Sequence, residues 1–156
     1  MHRILLVSCG ICCLFGSLAS TGSLPTPGNI ENVAGMYNAG SWAAGGEGDS
    51  GPATSATFAG ISSIAVDNNN GVLYIADGLV TNQNEKIRQV VLSTGIITAV
   101  PVSLSNLNPS TFGTWLALKV TKDGTLLVAD SDHYRVLAFS HPFNTPTVKF
   151  GNGNQV

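Results

Sequence analysis

Polar and apolar positions follow a simple rhythm over residues 60–77. Ile64 and Val66 fall on one side of an extended run, with Ser63 and Ala65 on the other. Asn68, Asn69, Asn70 and Gly71 follow. Asn and Gly accept the positive φ that a tight hairpin needs, so this is a turn. Val72, Leu73, Tyr74, Ile75 and Ala76 then present no polar face. A strand that is apolar on both sides requires cover on both sides. The pattern therefore predicts strand, turn, buried strand.

The same pattern returns over residues 118–130. Gly71 maps to Gly124, Ala76 to Ala129 and Asp77 to Asp130, an offset of 53 in each case. Self-similarity at such a period points to an array or a propeller. No helical period separates the copies. That selects a β-propeller or a β-solenoid over the helical repeats.

Several motifs accompany the repeat, in a fixed order. Gly48, Asp49, Ser50, Gly51 and Pro52 lead to Ala56, Thr57 and Phe58. Asp67 and Asp77 then close two apolar runs. Ile87, Arg88, Gln89 and Val90 come next, followed by Thr94, Gly95 and Ile96. The second copy has Ala129, Asp130, Arg135 and Val136. Together these residues resemble NHL repeats, of the kind found in teneurin-type and other secreted NHL-repeat proteins. The resemblance spans residues 28–150. It implies an all-β fold, a partial NHL-type β-propeller with two four-stranded antiparallel blades. Blade one is expected at 61–100 and blade two at 115–151, after a latch strand at 30–35. Asp67, Gly71, Asp77, Gly124, Asp130 and Arg135 are the structural residues of the repeat. Lys86 stands where the family has Arg. Lys119 replaces Ala65 and Thr121 replaces Asp67, so the second copy frays in its innermost strand.

Ahead of the repeats, Arg3 is the sole charge of a segment whose residues 4–15 are mostly apolar, and Ser17, Leu18 and Ala19 make a small-x-small cleavage site. Residues 1–23 are expected to be a secretory signal peptide, cut near Ala19, with 24–29 a Pro/Gly linker and 30–156 the partial propeller. A signal anchor is one rival. A lipoprotein signal ending at Cys9 is another, disfavoured because little apolar sequence precedes that cysteine. Cys9, Cys12 and Cys13 all lie in this segment, so the exported chain has no disulfide and no thiol metal site. Without Arg3, six basic residues face nine acidic ones, a net charge of −3. That balance argues against nucleic acid. Charged residues are 10% of the chain, against about 25% in ordinary domains. Ser, Thr, Asn and Gly must therefore solvate the surface.

Few residues look chemical. Asp77 and Asp130 end the second strands and read as turn devices that accept backbone N–H groups. Glu47 and Asp49 lie in a glycine-rich connection without EF-hand spacing. His133 falls in a turn and His141 precedes Pro142. Neither has a metal-like partner at useful spacing. No Gly-x-Ser-x-Gly elbow and no P-loop occurs. Trp115, Tyr134 and His133 are candidate contact residues, and Trp42 is a further large ring. Lys119 is either a channel-facing charge or a lysine that snorkels to solvent.

The expected function is a secreted or cell-surface binding module with no catalysis, no cofactor and no metal. Its ligand is expected to be a protein or a glycan. One alternative is a fragment of a propeller enzyme, amidating-lyase-like or lactonase-like, whose metal site lies in missing blades. Another is a structural extracellular repeat. Two blades are too few to close a ring, which takes about four to eight. The chain is therefore expected to be truncated, or to need further blades or other chains, with one face of each sheet lacking a neighbour.

Overall fold

The computed structural model describes residues 30–36, 46–78, 85–140, 143 and 146–151. The expected signal peptide, Trp42 and His141 lie outside them. The protein is all-β. Two four-stranded antiparallel sheets run β1 (Ile61–Asp67), β2 (Val72–Asp77), β3 (Lys86–Val91), β4 (Ile96–Ala99) and β5 (Leu116–Val120), β6 (Leu126–Asp130), β7 (Arg135–Phe139), β8 (Thr147–Phe150). Each sheet is a meander, with strands neighbouring in sequence order.

The hairpins form for local reasons. The Asp67 carboxylate accepts the amide N–H groups of Asn69 and Asn70 at 3.0 and 3.2 Å, which satisfies a turn that would otherwise strand two donors. Gly71 then takes φ 63°, where a side chain would be strained. In the second sheet the Thr121 hydroxyl does the work of Asp67. It accepts the amide of Thr125 at 3.0 Å, and Gly124 takes φ 83°. The two turns touch, because the Asn69 side chain donates to the Lys122 carbonyl at 3.0 Å.

β2 is covered on both faces, as its apolar run requires. Leu73 and Ile75 on one face join Val90 and Ile97 in a cluster sealed by Ala34, Ala53 and Ala56. Tyr74 and Ala76 on the other face join Ile87 and pack against the second sheet through Leu126, Val128, Leu137 and Phe139. The opposite faces of one strand thus serve two cores. β5 approaches β1 directly, with the Leu118 amide donating to Ser63 Oγ at 2.9 Å. β6 differs from β2 in having one less covered face. Leu126, Val128 and Asp130 are buried, whereas Leu127 and Ala129 stay partly exposed, because among the described residues no element packs over that face.

Two expectations are corrected. Residues 30–35 form no strand. They run as irregular chain whose Gly35 and Met36 amides donate to Ala53 and Ala56 carbonyls at 2.8 and 2.9 Å. Their partner is the loop at 53–56 rather than a sheet edge, so no ladder develops. The first sheet also does not lack a neighbour on its outer side. Residues 30–36 and 46–58 supply it, and among the described residues the second sheet is the one that keeps an open face.

Candidate functional site

Each sheet carries a polar clamp at the end of its second strand. In the first, Asp77 is the last residue of β2 and is buried. Its Oδ1 accepts the Ala59 amide at 2.8 Å and, more weakly, that of Gly60 at 3.4 Å. Its Oδ2 accepts from Arg88 Nη1 at 3.2 Å. Arg88 is fully buried, and it spends nearly all its donors. Nη1 also reaches the Thr57 carbonyl at 2.7 Å, Nη2 the Glu47 carbonyl at 3.0 Å, and Nε the Asp49 carboxylate at 3.0 Å. The guanidinium lies 4.9 Å from the Phe58 ring centre, a cation–π contact. Asp49 is thereby an ion-pair partner, as the loop interpretation of that glycine-rich stretch allows.

The second clamp repeats the plan. Asp130 Oδ1 accepts the Gly113 amide at 2.9 Å, and Oδ2 accepts from Arg135 Nε at 2.9 Å. Arg135 holds the Pro109 and Thr111 carbonyls at 2.9 and 2.7 Å. Both aspartates thus hold the amide two residues after a threonine, and both arginines hold that threonine's carbonyl. Thr57, Phe58 and Ala59 match Thr111, Phe112 and Gly113. The physical purpose is to fix the chain where it enters the first strand of each sheet, since a buried entry loop carries backbone groups that water cannot reach.

The arginines come from different places. Arg135 lies directly across from Asp130 in the ladder. Lys86 lies directly across from Asp77, but Arg88, paired with Ile75, reaches the aspartate diagonally on the same face. Lys86 turns instead toward Asp49, 3.7 Å away, and the Gly46 carbonyl. Lys86, Arg88 and Val90 share that face of β3, so the sequence offers two cations there and does not single out Arg88.

The named candidates gather at one end of the second sheet, with one exception. A single 3-10 turn, Ser131–His133, follows β6. Asp132 accepts the Thr114 amide at 2.7 Å, and the Ser131 amide reaches the Trp115 carbonyl at 3.3 Å. Trp115 is 58% exposed and Tyr134 is exposed, with Tyr134 in the left-handed region at φ 47°. His133 is not free: its Nδ1 sits 3.0 Å from Asp130 Oδ2, inside the clamp. Lys119 is exposed on the open face of β5, four residues along the strand from Trp115, roughly 13 Å at strand spacing.

Glu85 is the polar residue that no motif announced. It precedes β3, is 8% exposed, and neither carboxylate oxygen has a hydrogen-bond partner. It packs so closely on Gly78 that a Cβ there would overlap its carboxylate. Burial, then the charges of Asp77 and Asp132, push its pKa from the ordinary 4.5 up to about 7. The folded state therefore holds this proton more tightly than the unfolded chain. Below pH about 4.5 both states are protonated and the contribution is fully present. As pH rises toward 7 the unfolded chain ionises first, so stability falls across that window. Glu85→Gln, a neutral mimic of the protonated acid, should flatten the fall and leave the protein more stable than wild type at pH 8. Thermal unfolding at several pH values checks this, and parallel curves for the two proteins would refute it.

Among the described residues no group of three or more His, Cys, Asp or Glu is placed to hold a metal ion. Nor is any described helix long and apolar enough to cross a membrane. No protein-family model and no curated protein matches the chain.

Proposed function

We propose that this chain is part of a secreted or cell-surface NHL-repeat β-propeller that acts as a binding module, without catalysis of its own. The observation that carries the proposal is the repeated clamp. Two stacked four-stranded sheets hold the entry to their innermost strands with the same aspartate, arginine and threonine-carbonyl arrangement. In a propeller such a device positions blades. It also engages three side chains capable of acid–base work, since Asp77, Asp130 and His133 all face clamp partners. An exposed aromatic end, Trp115 and Tyr134, lies beside the turn at 131–133 and suits recognition. Large rings at a rim suit a glycan face or a protein loop.

The test uses protein recovered from the medium, with its N-terminus expected close to Ser20. A panel of extracellular glycans and protein ectodomains is screened by interferometry. Trp115→Ala and Tyr134→Asn should each weaken the binding found by about tenfold or more, the cost of a hot-spot aromatic, with little change in Tm. Binding indifferent to both substitutions would move the site elsewhere. Turnover of a lactone or of a glycine-extended peptide, lost on chelation, would overturn the proposal in favour of an enzyme.

A further inference from the structure

The molecule has two unlike ends along the direction in which its layers stack. One end is the segment that covers the first sheet. Ile30 and Met36 there are 85% and 52% exposed. Its described residues, 30–36 and 46–58, contain Glu31, Glu47 and Asp49 and no Lys or Arg, with the partly exposed Lys86 of β3 paired to Asp49. Asp49 is engaged by Arg88, while Glu31 and Glu47 are exposed. The other end is the open face of the second sheet. Trp115 flanks it, Phe150 is 73% exposed on the edge strand β8, and among the described residues the exposed charges on its strands are Lys119 and Lys149, with Asp132 exposed in the turn beside Trp115.

Repeat positions show what this open face resembles. Leu127 and Ala129 occupy the places of Tyr74 and Ala76, and Tyr74 and Ala76 are sealed by the second sheet. The face is thus built like one that this chain already buries. Exposed large apolar side chains of this kind mark a contact surface.

We infer that a second copy of this chain covers it, head to tail. The acidic, apolar end of one copy packs on the basic, apolar face of the next, with Glu31 and Glu47 opposite Lys119 and Lys149. Charge complementarity selects this arrangement. A two-fold contact would set Lys119 against Lys119 or Glu31 against Glu31, whereas a heterologous contact joins opposite signs. Repetition of the same contact gives a ring if the rotation closes and a filament if it does not. The inference deepens the binding-module proposal by naming a partner. A chain that binds a glycan or ectodomain yet never self-associates would defeat the inference and leave that proposal standing.

Sedimentation velocity on the full chain tests it. The weight-average mass should rise with concentration and fall with added salt. Lys119→Glu and Glu31→Lys should each weaken association by about fivefold, the scale of one surface ion pair, and the double variant should recover it. Trp115→Asp and Ile30→Asp each block one end. Each should be monomeric alone, and their mixture should give a one-to-one dimer and nothing larger. Should Trp115→Asp fail to fold, Lys119→Glu mixed with Ile30→Asp reads the same face. A monomer at every concentration would overturn the inference. So would an Ile30→Asp chain that still dimerises alone, the mark of a two-fold contact. Association indifferent to the charge substitutions, as an apolar leader would produce, overturns it as well.

Discussion

Arg88→Met should be the most damaging single substitution in the first sheet. The expected loss is about 3–5 kcal/mol, the cost of removing one partner from a buried ion pair. For a domain of this size that is a fall in Tm of roughly 10–20 °C. The reason lies in what stays behind. Asp77 remains buried with its Oδ2 unpaired, and the Thr57 and Glu47 carbonyls each lose the guanidinium and keep only one backbone N–H donor. Methionine fills much of the volume but satisfies none of these groups. Arg88→Lys should recover only part of the loss, since one ammonium cannot reach two carbonyls and two carboxylates in fixed directions. Asp77→Ala combined with Arg88→Met should cost less than the two single losses added together, because both single changes remove the same buried ion pair. Urea and thermal denaturation followed by circular dichroism read these values. A loss below about 1 kcal/mol for Arg88→Met, the scale of an exposed pair, would show that the clamp is not structural.

Phe139→Ala should cost a similar amount, about 3–5 kcal/mol, through a cavity rather than a stranded charge. Phe139 is fully buried in the core that joins the two sheets. Its ring lies 6.2 Å from that of Phe112, tilted by 57°. It sits opposite Leu126 in the ladder, so the neighbouring strand cannot close in without breaking register. The matched control is Phe150→Ala. That ring is largely exposed and its loss should stay within about 0.5 kcal/mol. Because the Phe139 core is what couples the sheets, hydrogen exchange in β5–β7 should speed up more than in β2 and β3. Equal costs for Phe139→Ala and Phe150→Ala would place the joining core elsewhere.

Much of the strand plan was legible because strand periodicity and turn chemistry are local. The Asn-rich turn before Gly71 needs only its own residues, and the turn ending at Gly124 likewise. The two apolar runs that follow them predict β2 and β6 within a residue of their observed bounds. The motif residues Ile87 to Val90 likewise fall inside the observed third strand, Lys86–Val91. The clamps were only half legible. A carboxylate at a strand end signals a turn device, and both aspartates do accept entry-loop amides. Which cation meets them is not local. Lys86 holds the ladder position opposite Asp77, yet a longer planar guanidinium one register step further along reaches the aspartate and two distant carbonyls at once.

Glu85 shows the limit most plainly. Nothing around it in the chain distinguishes it from a surface glutamate. Its burial depends on Gly78, and the charge that disfavours its ionisation comes in part from Asp132, 47 residues away in the other sheet. Residues 30–36 teach the same lesson in reverse. Their sequence suggested a strand, but the available partner was the loop at 53–56, and a strand exists only where another strand offers a ladder. By itself, then, the sequence determined where the chain extends, where it turns and that the unit is used twice, because those follow from side-chain alternation and backbone preference within a few residues. The tertiary structure alone decided which arginine serves each clamp, which carboxyl is denied water and which sheet face is left open. Those outcomes depend on distances between residues far apart in the chain, which no local pattern encodes.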